Sequence, residues 1–121
     1  MLIAVEGCIG TGKSTVAAGL ARFRKSVPLL EAFELNPFLP QFYDNPKKYA
    51  LETEFAFMFI HYHQLKRSLN EAHEEVLADF AFAKDLMYAE LNLVNRKAKG
   101  VFRTLYDLLS RDLVQPDLMV C

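Results

Sequence analysis

Leu2-Ile3-Ala4-Val5-Glu6-Gly7-Cys8-Ile9-Gly10-Thr11-Gly12-Lys13-Ser14-Thr15 stands almost at the start of the chain and decides how the rest is read. Its first residues are a short apolar run of the kind that forms a strand buried on both faces. Its last lead into a helical pattern, in which Val16, Leu20 and Phe23 recur at spacings of four and three. The stretch between has the spacing G-x-x-x-x-G-K-S. Glycines 7, 10 and 12 let successive backbone N–H groups turn inward around phosphate oxygens. Lys13 is placed to neutralise the β and γ phosphates and Ser14 to ligate magnesium, while the helix points its positive end at the anion. Gly7, Cys8, Ile9, Gly10, Thr11, Gly12, Lys13, Ser14 and Thr15 are therefore the expected nucleotide-binding set.

The composition agrees with a nucleotide-binding globular domain. The 121 residues suit one domain, residues 1–121, and 52% hydrophobic content suffices for a packed core. With 14 basic and 15 acidic residues the net charge is -1. Such a balance gives no basic field for nucleic acid. Two cysteines, Cys8 in the loop and Cys121 at the end, are too few for a disulfide framework, which points to a reducing, cytoplasmic setting. No apolar run is long enough to span a bilayer, and no trimmed leader is expected before the first strand.

Strand and helix patterns alternate along the chain without repeats, as in a parallel α/β layer structure. Leu2–Glu6 reads as strand one, Gly12–Phe23 as helix one and Pro28–Glu31 as strand two. Pro37, Pro40 and Pro46 restrict the next segment to brief helices. Pro46–Ala72 carries the longest helical signal, with Leu51, Phe55, Met58, Tyr62, Leu65 and Leu69 as its core stripe. Val76–Asp79 reads as strand three, followed by helices over Phe82–Lys97 and Val101–Arg111 that Gly100 is expected to separate. Asp117–Cys121 reads as a fourth strand. A parallel strand normally runs on into a ligand-bearing loop, so this ending predicts the amino-terminal part of a larger enzyme.

Carboxylates at strand ends are the candidates for catalysis. Asp79 follows Val76-Leu77-Ala78 as the acid of a Walker B strand would, beside the metal held by Ser14; a helix cap is the other reading of that aspartate. Glu31 closes strand two on the same sheet edge and is placed to accept a proton from an acceptor hydroxyl. On the long helix, Glu54, Phe57, His61 and Gln64 share one stripe. The stripe reads either as a pocket wall or, somewhat more readily from spacing alone, as a solvated flank. His61 and His63 diverge on a helix, which argues against a metal pair, and His73 sits in an acidic, solvated stretch. Arg24-Lys25 and Arg96-Lys97-Ala98-Lys99 read as charges at helix ends.

Taken together, the glycine loop, Glu31, Asn36-Pro37-Phe38-Leu39 with Phe42-Tyr43, the aromatic-rich helix through Gln64-Leu65, and Pro116-Asp117-Leu118 resemble the deoxynucleoside kinases. The resemblance covers essentially the whole chain. It implies a three-layer P-loop NTPase fold with strand order 2-3-1-4, and transfer of the ATP γ-phosphoryl group to the 5′ hydroxyl of a deoxynucleoside with Mg2+. By the same resemblance Glu31 is the base, Lys13 and Asp79 complete the catalytic set, Ser14 and Asp79 hold the metal, and Glu31, Tyr43, Glu54, Phe57 and His61 contact the nucleoside. Homodimers through helices are also implied.

Three positions depart from the family pattern. Glu54 stands where a glutamine usually reads the base, and a carboxylate only accepts hydrogen bonds, so an altered base preference is expected. His61 matches an arginine. Asp79-Phe80-Ala81 keeps the acid of an acid-arginine-serine element without its arginine, and the arginine-rich lid of the family would follow strand four. These departures leave open a weakly catalytic nucleotide-binding module acting with a partner. A switch-type NTPase is disfavoured because no Asn-Lys-x-Asp sequence occurs.

Overall fold

The computed structural model describes residues 2–5, 13–24, 27–70, 76–113, 116 and 118–120. Four short strands, β1 (Leu2–Val5), β2 (Val27–Leu29), β3 (Val76–Ala78) and β4 (Leu118–Val120), form one sheet in the order β2-β3-β1-β4. Every pairing is parallel, with Leu2 opposite Val76, Ile3 opposite Leu118 and Val27 opposite Val76. The expected α/β class and strand order are both present. Leu2, Ile3 and Ala4 of β1 and all of β3 are buried, as strands covered on both faces require. Helix α1 (Lys13–Arg24) packs Ala17 and Leu20 on Ile3 and Leu77.

Among the described residues the remaining elements are α2 (Leu39–Asp44), α3 (Pro46–Asn70), α4 (Ala83–Asn92) and α5 (Arg96–Ser110), with a 3-10 turn over Phe33–Leu35. The chain divides into two compact units. One, Met1–Glu31, Gln64–Ala81 and Leu113–Cys121, carries the sheet; the other, Ala32–His63 and Phe82–Asp112, is helical. In the helical unit Phe102 and Met58 are fully buried, Phe55 meets Phe102 edge-on at 5.0 Å, and Phe82 stacks on Tyr106 at 4.8 Å.

Two expectations about the helices are corrected. Gly100 does not separate α4 from α5. The break falls at Leu93–Asn95, because the Asn95 side chain accepts hydrogen bonds from the Lys97 and Ala98 N–H groups and so caps α5. Gly100 lies inside α5, where a Cβ would meet nothing within 4 Å. The core stripe expected on α3 is also only partly right: Met58 and Leu65 are buried, Phe55 and Tyr62 half-buried, and Leu51 is 51% exposed.

Candidate active site

The sheet unit sets the two candidate carboxylates by connectivity. β1, β2 and β3 run parallel, so the segments after Val5, Leu29 and Ala78 all leave the same edge of the sheet. This is the edge at which parallel α/β sheets hold ligands. Of the glycine loop, Gly7, Cys8, Ile9, Gly10, Thr11 and Gly12 lie outside the described residues; α1 begins at Lys13, and Thr15 is exposed on its first turn. Cys121, Lys25 and the His73 stretch also lie outside them.

Asp79 and Glu31 meet at this edge. Asp79 is 1% exposed, and its Oδ1 accepts the Glu31 backbone N–H at 2.6 Å; in turn the Asp79 N–H donates to the Leu29 carbonyl at 3.2 Å. The reading of Asp79 as a helix cap is not met, because the residue preceding α4 is Phe82 and no side chain caps that helix. Glu31 itself lies two residues beyond β2 and is half-buried. Gln64, at the point where α3 enters this unit, donates from Nε2 to the Leu30 carbonyl at 2.8 Å and so fixes the turn that carries Glu31.

The helical unit contains a buried polar cluster. Asn36 is 3% exposed; its Nδ2 donates to the Thr53 carbonyl at 3.0 Å and its Oδ1 accepts from the Phe38 N–H at 3.1 Å, which shapes the Asn36-Pro37-Phe38-Leu39 turn into α2. Tyr43, at the end of α2, is 62% exposed and its ring lies 6.3 Å from that of Phe42. Beginning at the residue after the Thr53 anchor, the Glu54 stripe is not a solvated flank: Glu54 and His61 are both buried, and the half-buried Phe57 ring stacks on His61 at 5.5 Å. The spacing was compatible with either face; packing of α4 against α3 decided it.

α4 supplies the partners that burial demands. Asp85, itself buried, receives His61 Nδ1 at 2.7 Å and 2.8 Å to its two oxygens; since a carboxylate only accepts, Nδ1 carries the hydrogen. Glu54 Oε1 accepts from Asn92 Nδ2 at 2.9 Å. Burial pushes the Glu54 carboxyl up to about 7. The Asn92 bond pulls against that rise, the Asp85 charge adds to it and His61 offsets it. Asp85 and Asn92 escaped the sequence reading. The available signal was an acid three residues after the apolar run Phe80-Ala81-Phe82, a charge that has to find a partner if that run is buried.

Comparison with known proteins places this arrangement in a family. The family model described as deoxynucleoside kinase matches residues 3–121. The chain belongs to the deoxynucleoside kinase family, whose P-loop fold it shares. It is 33% identical over 122 residues to the deoxyguanosine kinase of Bacillus subtilis (strain 168), covering 98% of this chain and 58% of that protein. With the deoxyadenosine kinase of Dictyostelium discoideum the identity is 28% over 123 residues, covering 98% of this chain and 49% of the relative. Among solved structures, the deoxyadenosine kinase from M. mycoides with products dCMP and a flexible dCDP bound superimposes with a TM-score of 0.82 at 25% identity, covering 98% of this chain and 62% of that one. The chain therefore spans half to three fifths of the length of these relatives. Among the described residues, no helix is long and apolar enough to cross a membrane.

Proposed function

We propose that the protein carrying this chain transfers the γ-phosphoryl group of ATP to the 5′ hydroxyl of a deoxynucleoside. The observation that supports this most directly is the Glu31–Asp79 pairing, which brings two carboxyl-bearing residues together at the ligand-binding edge of a P-loop sheet. Glu31 takes the proton of the attacking hydroxyl, Lys13 steadies the transferred phosphoryl group, and the loop of residues 7–15 holds the nucleotide. A serine hydroxyl and an aspartate are oxygen donors of the kind magnesium takes, so Ser14 and Asp79 would hold Mg2+, which neutralises phosphate charge when bound. Glu54, Phe57 and His61, with Tyr43, form the nucleoside end of the reading. It is supported by the burial of Glu54 and His61, since buried polar groups are kept where they have a task. A cytoplasmic setting and pairing with a second copy complete it. Leu51, Phe55, Ala98 and Val101 line an open apolar groove of α3 and α5 that such a copy could cover.

A thermal-shift series with each deoxynucleoside, with and without Mg-ATP, tests the reading. Stabilisation by at least one nucleoside, enlarged by Mg-ATP, is expected. Stabilisation by ATP alone would favour the bare nucleotide-binding module.

A further inference from the structure

One peptide unit at the carboxyl edge of the sheet is held at both of its polar ends. Leu30, Glu31, Gln64 and Asp79 all belong to the sheet unit. β2 is an edge strand in the order β2-β3-β1-β4, so only one of its sides faces a partner strand. Successive peptide groups of an extended chain point to opposite sides, and those on the outer side of an edge strand have no strand to bond. The observed partners follow that alternation. The Leu29 carbonyl accepts the Asp79 N–H at 3.2 Å, the next carbonyl, of Leu30, accepts Gln64 Nε2 at 2.8 Å, and the Glu31 N–H returns to Asp79 Oδ1 at 2.6 Å. The Leu30 carbonyl and the Glu31 N–H are the two polar ends of one planar amide. Gln64 holds its oxygen and Asp79 its hydrogen. The amide plane therefore cannot swing, and the Glu31 Cα, one bond beyond it, keeps a fixed direction for its side chain.

We propose that Gln64 is a positioning residue for the phosphoryl transfer: by holding the Leu30 carbonyl while Asp79 holds the Glu31 N–H, it aims the Glu31 carboxylate at the hydroxyl to be deprotonated. The inference rests on the reading of Glu31 as the base and gives Gln64 a part in it exerted through the main chain. Proton transfer requires the accepting oxygen within hydrogen-bond reach of the hydroxyl, and a misplacement of about 1 Å can cost about a hundredfold in rate. The Gln64 bond is suited to aiming rather than to holding the fold. Leu30 is 44% exposed, and water replaces a lost bond at such a carbonyl, so the bond adds little to stability. An amide is also a neutral donor. It fixes the carbonyl without setting a cation beside the carboxylate, which would weaken Glu31 as a base.

Turnover and binding, measured side by side in the protein that carries this chain, test the assignment. Gln64→Met keeps the length of the side chain without its donor, and Gln64→Glu, ionised at neutral pH, turns an acceptor towards the carbonyl. Both should lower kcat at least about tenfold, while the dissociation constants of ATP and deoxynucleoside and the melting temperature stay close to those of the unaltered protein. A fall in melting temperature with both ligands loosened alongside kcat is the mark of a merely structural role and overturns the proposal. Action through Glu31 also requires that the two losses do not multiply. In Glu31→Gln, whose slow residual turnover is followed over extended incubation, adding Gln64→Met should lower the rate by less than about twofold. An equal fall in both backgrounds gives Gln64 some other task and overturns the proposal. If Glu31→Gln is slow and Gln64→Met is not, the proposal falls and the base assignment stands; if Glu31→Gln alone turns over undiminished, the base assignment falls and takes the proposal with it. Should neither Gln64 variant fold, hydrogen exchange of the Glu31 amide in the unaltered protein decides. Slowing of at least about a hundredfold relative to an unstructured amide is expected of a clamped peptide, and unprotected exchange overturns the proposal.

Discussion

The backbone N–H of Glu31 donates to Asp79 Oδ1 at 2.6 Å, so the residue read as the base and the residue read as the metal ligand are joined through main chain and side chain. Asp79 thus has a structural duty, holding the segment after β2 to the end of β3, that is separable from its charge. Asp79→Asn keeps an oxygen acceptor for Glu31 and loses the charge; Asp79→Ala loses both. In urea denaturation Asp79→Ala is expected to cost about 1–3 kcal/mol, with Asn close to the unaltered protein. Magnesium-dependent turnover should fall sharply in both. If Asn destabilises as much as Ala, the hydrogen bond is not what Asp79 contributes.

The His61–Asp85 pair should behave as a coupled unit. Replacing His61 by alanine removes a charge-assisted bond from a buried carboxylate and is expected to cost about 2 kcal/mol or more. A double-mutant cycle with Asp85→Asn checks the coupling: the double variant should be less destabilised than the sum of the singles. Simple additivity would mean that the two side chains do not depend on each other.

Glu54 makes a pH-dependent contribution to stability whose sign follows from the direction of its shift. In the folded protein its carboxyl sits at about 7, against an ordinary 4.5. Between those values the folded state holds a proton that the unfolded chain has released. The associated stability is therefore fully present below about pH 4.5 and lost as pH rises through about 7, amounting to on the order of 3 kcal/mol. Glu54→Gln should flatten the denaturation free energy over that window and be the more stable protein at about pH 8. A profile identical in the two proteins would show that Glu54 is ionised throughout.

Gly100 offers a test free of the active site. It is exposed in the interior of α5 with open space where a Cβ would stand, so Gly100→Ala should stabilise by about 0.5–1 kcal/mol. A calorimetric melting temperature reads it, and a decrease would indicate that the helix does not run through position 100.

The sheet was legible in the sequence because its strands are short apolar runs that end in informative residues. Val76-Leu77-Ala78 before Asp79 and Leu2–Val5 before the glycine loop each fall within a residue of the observed strand. The helical boundaries near Gly100 were not, since glycine weakens a helix by less than a good asparagine cap directs one, and Asn95 supplies that cap. The candidate site divided in the same way. Local patterns singled out Glu31 and Asp79, which the structure brings into contact, whereas the burial of Glu54 and His61 depends on Asp85 and Asn92, 24 and 38 residues away from the partners they bind. Helical periodicity places a side chain on a face and cannot say what covers that face. The upward shift of the Glu54 carboxyl was further out of reach, because it comes from enclosure rather than from residue type.

The central claim, that this protein phosphorylates a deoxynucleoside from ATP, is tested most directly by label transfer. The protein is incubated with ATP labelled at the γ position, Mg2+ and each deoxynucleoside in turn, and the products are separated. The account predicts labelled deoxynucleoside 5′-monophosphate from the unaltered protein, with the label lost in Lys13→Ala and in Glu31→Gln, the latter still binding ATP. Undiminished transfer in Glu31→Gln, or ATP bound with no labelled monophosphate from any deoxynucleoside, would contradict it.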